Sequence, residues 1–337
     1  MTKKHASLIN IGRCLELSSA PSNVGGKSKK LDDMCLDWEK NRNVTIEGDG
    51  TIDGAGMAWW EEKGALRPTL VGPIFVDGLV LHGIKLINSA FWTVHPLFCN
   101  DVSITDVDIN APSDSPNTDG IDPDSCTNVY IARCKISVGD DCIAIKSGRD
   151  AAARRIGKPT QNVLVEDMAF GQCHGLTIGS EMSGGVQNVT IRNSVSTNSK
   201  RGYPLIRIKT RQGRGSYVRD VTFSNITADF ATYLMRVDMF YPPQPARGKY
   251  PIISDITVKD ITLQRAFGVW LFECLDTAPC RNFHLEGNSV TTFDKGFYGK
   301  NVYGTATNNE PAIELNPMQG SMQMQLDEEL EKAARKE

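Results

Sequence analysis

Apolar and polar residues alternate along this chain in runs of only four or five, and one such run recurs. It reads Asn or Asp, then Val or Ile, then a variable residue, then an apolar one. It occurs as NVTI at 43–46, DVSI at 101–104, NVYI at 128–131, NVLV at 162–165, NVTI at 188–191, DVTF at 220–223 and DITV at 255–258, with a degraded copy, NFHL, at 282–285. From 101 onward the starts are 27, 34, 26, 32, 35 and 27 residues apart. A period in this range signals a solenoid, and its drift implies insertions on one face. Further short strands lie within each period: CKISVGDD and CIAIK, DMAFGQC and GLTIGS, NSVSTN and LIRIKT. Strict alternation over so few residues marks strands with one buried face. Three short strands per coil predict an all-β, single-stranded parallel β-helix. Asn at the strand starts fits turns, where it tolerates left-handed backbone. A doubly wound α/β fold needs helices of roughly 10–15 residues between strands, and the pattern offers none between 70 and 300.

The two ends read differently. Residues 1–42 lack the repeat and read as a lead-in or cap, 43–304 as the β-helix, and 305–337 as a tail, partly helical. In that tail Glu328, Glu329 and Glu331 precede Lys332, Arg335 and Lys336, an order that suits helix pairing and the macrodipole. Length alone, 337 residues, suggests about two domains; the repeat replaces that expectation with one solenoid. Hydrophobic residues at 40% and charged residues at 23% exclude disorder, collagen and coiled coil as the main architecture. A net charge of -3 gives no basic excess for a nucleic-acid backbone. No apolar run approaches the roughly 18 residues that span a bilayer. Nine cysteines leave at least one unpaired within the chain, and none has CxxC or zinc spacing. Several lie in apolar runs, as in Cys142-Ile-Ala-Ile, and are expected as small core hydrophobes. Two lysines near the start are not followed by the apolar stretch of a secretion signal, which leaves a cytoplasmic location open.

Candidate chemistry concentrates in SPNTDGIDPDSCTNVYIARCKISVGDDCIAIKSG (115–148). Asp119 lies 22 residues before Asp141, close to one coil, and stacked coils are about 4.8 Å apart. Asp119, Asp140 and Asp141 are therefore expected on one face, with Gly139 bending the chain so that both members of the pair stay outside. Clustered carboxylates repel, so one should hold a proton near neutral pH, as an acid and base flanking a glycosidic bond require. Asp-Gly and Gly-Asp are also common turn elements, and Asp119, Asp122 and Asp124 are oxygen ligands suited to calcium. His174 follows Asp141 by 33 residues, and Arg207 follows His174 by 33. Arg207 and Lys209, at i and i+2, leave one strand face together. A guanidinium fork with a lysine charge suits a sugar carboxylate.

NTDG, GDD, HG and RIK, in that order and at coil-scale spacing, resemble glycoside hydrolase family 28, the polygalacturonases. GTIDGAGMAWW (50–60), NSAFWTVHP (88–96), IGSEMSGGVQNV (178–189) and RIKTRQGRG (207–215) extend the resemblance over about residues 43–300. It implies a right-handed parallel β-helix, a pectin-lyase-like solenoid, and inverting hydrolysis of α-1,4 bonds between galacturonic acid units. By motif, Asp140 resembles the general acid and Asp119 and Asp141 the water-activating pair. His174 resembles the histidine that supports the acid's protonation. Arg207 and Lys209 resemble the residues gripping the substrate carboxylate, and Tyr241 a substrate-contacting tyrosine. Asn117 is expected to contact sugar or hold the turn. The implied partner is a galacturonan chain or oligosaccharide, with no metal or cofactor, and the implied location is extracellular. Arg-Ile-Lys favours homogalacturonan over the rhamnogalacturonan and xylogalacturonan substrates of related enzymes. The insertion 147–162 resembles the exo-acting branch, which leans the reading towards trimming of chain ends. Two departures stand out: Cys173 where the family usually has Gly, and Tyr203-Pro204 before the cation pair. Trp59, Trp60 and Trp92 are expected to fill the early rungs and cap. The competing readings are a β-helical lyase using calcium and a basic residue, and a non-catalytic polysaccharide-binding solenoid.

Overall fold

The computed structural model describes residues 41–62, 66–198, 202–242 and 248–320, with 322, 324, 325 and 328 beyond. The expected lead-in, apart from its last two residues, lies outside these. The first residue of every repeat turns the chain. Asn43, Asp101, Asn128, Asn162, Asn188, Asp220, Asp255 and Asn282 all adopt the left-handed conformation, with φ between 51° and 58°. Asn and Asp visit this region because their short polar side chains bond locally. Here they also bond to the next coil: Asn128 donates to Asp101 (2.8 Å), Asn162 to Asn128 (3.0 Å) and Asn188 to Asn162 (2.8 Å).

The second residue of each repeat points inward and stacks on its counterpart. Val102, Val129, Val163, Val189, Val221, Ile256 and Phe283 form one continuous column in parallel register. All are buried. Full burial of such a side chain is worth about 1.5–3 kcal/mol, so the column pins the register of every coil. All named strand pairs are parallel, and the fold is the expected right-handed parallel β-helix.

A second ladder positions the chemistry. Ile121 bridges Ile143, Ile143–Ile145 pairs with Leu176–Gly179, that strand with Ile206–Lys209, and that with Tyr217–Asp238. Ile145, Ile178, Ile208 and Val237 stack inward along it, fully buried. The insertion after Lys146 forms a seven-residue helix, Asp150–Ile156, closed by Gly157 at φ 60°. Its alanines favour helix, and the left-handed Gly ends it. It is shorter than a strand-to-strand crossover helix.

The cysteines correct one expectation. Cys142 pairs with Cys173, and Cys274 with Cys280. Cys99, Cys126 and Cys134 are the buried free thiols that the sequence led us to expect. Cys142 and Cys173 are 31 residues apart in sequence, which is one coil, so stacking brings together residues that spacing alone does not pair. At the C-terminal end, Ser289–Lys300 pairs along one edge with Ile252–Glu273. Among the described residues its other edge carries the single Ser289–Glu310 bridge, because the chain then crosses to lay Asn316 beside Tyr303. Beyond that, Gly320, Met322, Met324, Gln325 and Glu328 are helical. No described helix is long and apolar enough to cross a membrane.

Candidate active site

Adjacent coils bring the acidic residues together. The Gly120 N–H donates to the Asp141 carbonyl at 2.9 Å, so Asp119 and Asp141 stand at equivalent positions, as their separation predicts. A Cβ on Gly139 would overlap the Ser115 carbonyl, so only glycine allows this close approach; Asp140 beyond it stays partly exposed while Asp141 is fully buried. The His174 N–H donates to the Asp140 carbonyl at 2.8 Å. Gly175, at φ 101°, returns the chain to the strand.

The cation pair sits elsewhere than equal spacing suggests. Arg207 aligns with Thr177 and Lys209 with Gly179, three positions along the coil from His174. The coil from Ala144 to Thr177 is 33 residues, but the next, from Thr177 to Arg207, is 30, because the turn insertions differ. Convergence is achieved by side-chain length instead. Lys209 reaches back across the side-chain-free Gly179 to Asp141 Oδ2, at 2.7 Å. Thr177 Oγ1 donates to Asp141 Oδ1 at 2.8 Å. Burial is the largest influence on the Lys209 ammonium and would lower it, but Asp141, together with Tyr241 and Asp119, raises it overall. Lys209 is therefore committed to Asp141. Arg207 Nη2 lies 3.4 Å from Asp238 Oδ2, while its buried Nε has no hydrogen-bond partner. Tyr241 lies beside both cations, its ring 5.3 Å from the Arg207 guanidinium carbon and 5.4 Å from Lys209 Nζ.

Asp140 is held from three sides. His174 Nδ1 lies 3.0 Å from Oδ1, the Asp141 N–H donates to Oδ1 at 2.9 Å, and Asn117 Nδ2 donates to Oδ2 at 3.3 Å. Burial pushes this carboxyl up, but the His174 bond and charge win and hold it at about 2. Asp119 has the opposite fate. It is buried, its Oδ1 has no hydrogen-bond partner, and desolvation lifts it to about 8 against the pull of Lys146. Of the three carboxyls expected to share a proton, burial favours it on Asp119, whereas the resemblance assigned the acid role to Asp140.

Sequence reasoning missed what lies beneath. Lys146, 2% exposed, sits 3.7 Å from carboxylate oxygens of Asp119, Asp122 and Glu181 and 4.6 Å above the Trp92 ring. Trp92, expected to fill an early rung, is instead half-buried outside the core and tied to this cluster. Nothing in CIAIK marks the lysine as buried, and its partners Trp92, Asp119, Asp122 and Glu181 come from other coils. Tyr203, noted only as a departure, stacks on His174 with ring centroids 3.4 Å apart and planes at 9°. Arg67 Nη2 donates to Asn117 Oδ1 at 2.6 Å, which turns the Asn117 amide towards Asp140.

The calcium expectation does not assemble, because Asp124 faces His95 Nε2 at 3.3 Å while Asp119 and Asp122 face Lys146. Asp140, Asp141 and His174 bring one ligand atom each within 4.8 Å of one another, but those atoms already bond each other, Lys209, Thr177 and Asn117. Cys173 packs inward, away from the cleft, in its disulfide.

The family model for glycosyl hydrolases family 28 matches residues 11–308. The chain belongs to this family. Among family-28 relatives, a probable polygalacturonase of Vitis vinifera is 37% identical over 238 residues, 66% of this chain and 47% of that one. A probable polygalacturonase of Arabidopsis thaliana is 34% identical over 313 residues, 88% and 65% respectively. The chain thus spans about half to two thirds of their length. A crystal structure of an exopolygalacturonase from Thermotoga maritima superposes with a TM-score of 0.69 at 28% identity, over 80% of this chain and 70% of that one. Membership of a hydrolase family favours the hydrolytic reading over the lyase and binding-protein alternatives.

Proposed function

We propose that this family-28 chain hydrolyses α-1,4 bonds between galacturonic acid units of polygalacturonate or its oligosaccharides, with inversion. The observation that supports this best is the geometry of the carboxyl cluster: Asp119 and Asp141 stacked on adjacent coils, Asp141 held by Thr177 and Lys209, and Asp140 beside them on His174. Burial and His174 drive Asp119 and Asp140 in opposite directions, a separation that acid–base catalysis uses. Asp140 retains 18% side-chain exposure. A sugar seated over it removes that water, and desolvation favours its protonated form. The proton carried by Asp119 then belongs on Asp140, and the two constants describe the cluster jointly. Asp140 protonates the glycosidic oxygen. A water held by Asp119 and Asp141 attacks the anomeric carbon from the opposite face and gives up its proton to them. Inverting pairs leave room for this water. Arg207, with Tyr241 beside it, is the cation left to meet the substrate carboxylate. Two disulfides suit an oxidising compartment, which favours extracellular action.

Asp140→Asn should lower reducing-end release from polygalacturonate by about 100-fold or more while the circular-dichroism spectrum stays that of the folded protein. Substantial remaining activity would overturn the assignment. Chromatography of the products separates the modes. The insertion at 147–162 leads us to expect monomer from the first time points, and a ladder of oligomers would instead mean internal cleavage.

A further inference from the structure

Lys146 is the most buried cation near the cleft and no step above uses it. It follows the Ile143–Ile145 strand and turns its side chain under the coil that carries Asp119 and Asp122. Its ammonium faces Asp119, Asp122 and Glu181, each at 3.7 Å. Asp141, from its own coil, and Lys209, two coils on, also act on it at longer range. Glu181 is shared with Arg214, whose Nη2 lies at 3.5 Å. Among the described residues no second cation lies within ion-pair distance of Asp119 or Asp122. Asp119 Oδ1 and both oxygens of Asp122 lack hydrogen-bond partners. Two neighbouring buried carboxyls therefore depend on one ammonium for their charge, since an isolated carboxylate is very costly away from water.

We propose that Lys146 is a positioning residue for the reaction, its ammonium being the counter-charge that lets Asp119 release and recover a proton beneath the cleft. The proposal rests on the reading of Asp119 as part of the water-activating pair. Lys146 touches neither sugar nor water; it acts through Asp119. Without it, Asp119 faces Asp122, Asp140 and Asp141 with only the more distant Lys209 in support, and stays protonated. Desolvation already lifts Asp119 to about 8 with the lysine present, so little margin remains.

The test is read on the carboxyl itself. Protein labelled with 13C at aspartate carboxyls, with the Asp119 signal assigned through Asp119→Asn, is titrated as wild type, Lys146→Arg and Lys146→Met. Removing an opposite charge at this distance should raise the Asp119 midpoint in Lys146→Met by about one to three pH units, while Lys146→Arg keeps it near wild type. An unmoved midpoint in Lys146→Met overturns the proposal whether or not the protein hydrolyses anything. If the single variant does not fold, Lys146→Met/Asp122→Asn removes one charge of each sign, and its Asp119 midpoint should still exceed that of Asp122→Asn alone. In parallel, the acid limb of kcat/KM on polygalacturonate should move with the midpoint, with kcat reduced and KM little changed. A midpoint that moves while the rate profile stays fixed leaves the lysine's role intact and sinks the assignment of Asp119 to catalysis.

Discussion

Asp119 keeps a proton in the folded chain up to about pH 8, whereas the unfolded chain loses it near 3.8. Its contribution to stability is therefore complete below about pH 4 and fades as pH rises towards 8. We expect the melting temperature to fall over that window, with a slope of up to about 1.4 kcal/mol per pH unit for one proton. Asp122, raised by the same burial, adds to it, so Asp119→Asn should flatten the slope without abolishing it. Asp140 has the reverse sign. Held at about 2 by His174, it stabilises above about pH 4 and loses that contribution as pH falls to 2. His174→Gln should make the protein less sensitive across that acid window, read by thermal melts from pH 4 to 2. The grouping of Asp119, Asp140, Asp141 and His174 was legible from their spacing, and Lys209 reaches Asp141, whereas Arg207 lies beside Asp238 and Tyr241. Protonation was not legible, because it depends on which oxygens find donors. Nothing in NTDG or GDD says that Asp119 Oδ1 goes without one.

Between coils, the elements are tied by register and by sulfur. Cys142 directly follows Asp141, and Cys173 directly precedes His174, so their disulfide clamps the two strands that carry the acid pair and the histidine. Cys142→Ala/Cys173→Ala should cost about 2–4 kcal/mol and loosen His174 over Asp140, lowering kcat more than it raises KM. Non-reducing peptide mapping of the wild type should recover the linked pair. Ile178 stacks between Ile145 and Ile208, directly under Thr177 and Gly179. Ile178→Ala should destabilise by about 2–5 kcal/mol, measured by denaturant unfolding. The repeat was readable because a left-handed Asn or Asp followed by an inward apolar residue recurs in most coils; the coil at 76–82, with Gly78 and Leu79 in these places, escaped it. The pairing of cysteines and the offset of Arg207 from His174 were not. Both depend on how many residues each turn absorbs, and the turns vary independently of the strands.

Across the described residues, the candidate site lies midway along the solenoid, and the last long strand keeps one edge largely unpaired. Phe293, Phe297 and Tyr298 are exposed on Ser289–Lys300, a strand with one edge largely unpaired. Such edges are templates for association. Phe297→Lys should lower concentration-dependent light scattering without changing the melting temperature. The net charge of -3 opposes a polyanionic substrate at long range, so attraction has to come from Arg207 and its surroundings within about one Debye length. The gripping role expected of Lys209 is reduced by its bond to Asp141, which places more of that task on Arg207.

Lys146 lies against the face of Trp92, and this gives the buried cluster an optical reporter. An indole's emission responds to the electric field across its ring, and the field here is set by one ammonium and the carboxyls around it. A change in the proton content of Asp119 and Asp122 should therefore shift the colour of Trp92 fluorescence. The difference between wild-type and Trp92→Phe emission spectra would follow the floor of the cleft through a pH jump or substrate addition, without any label.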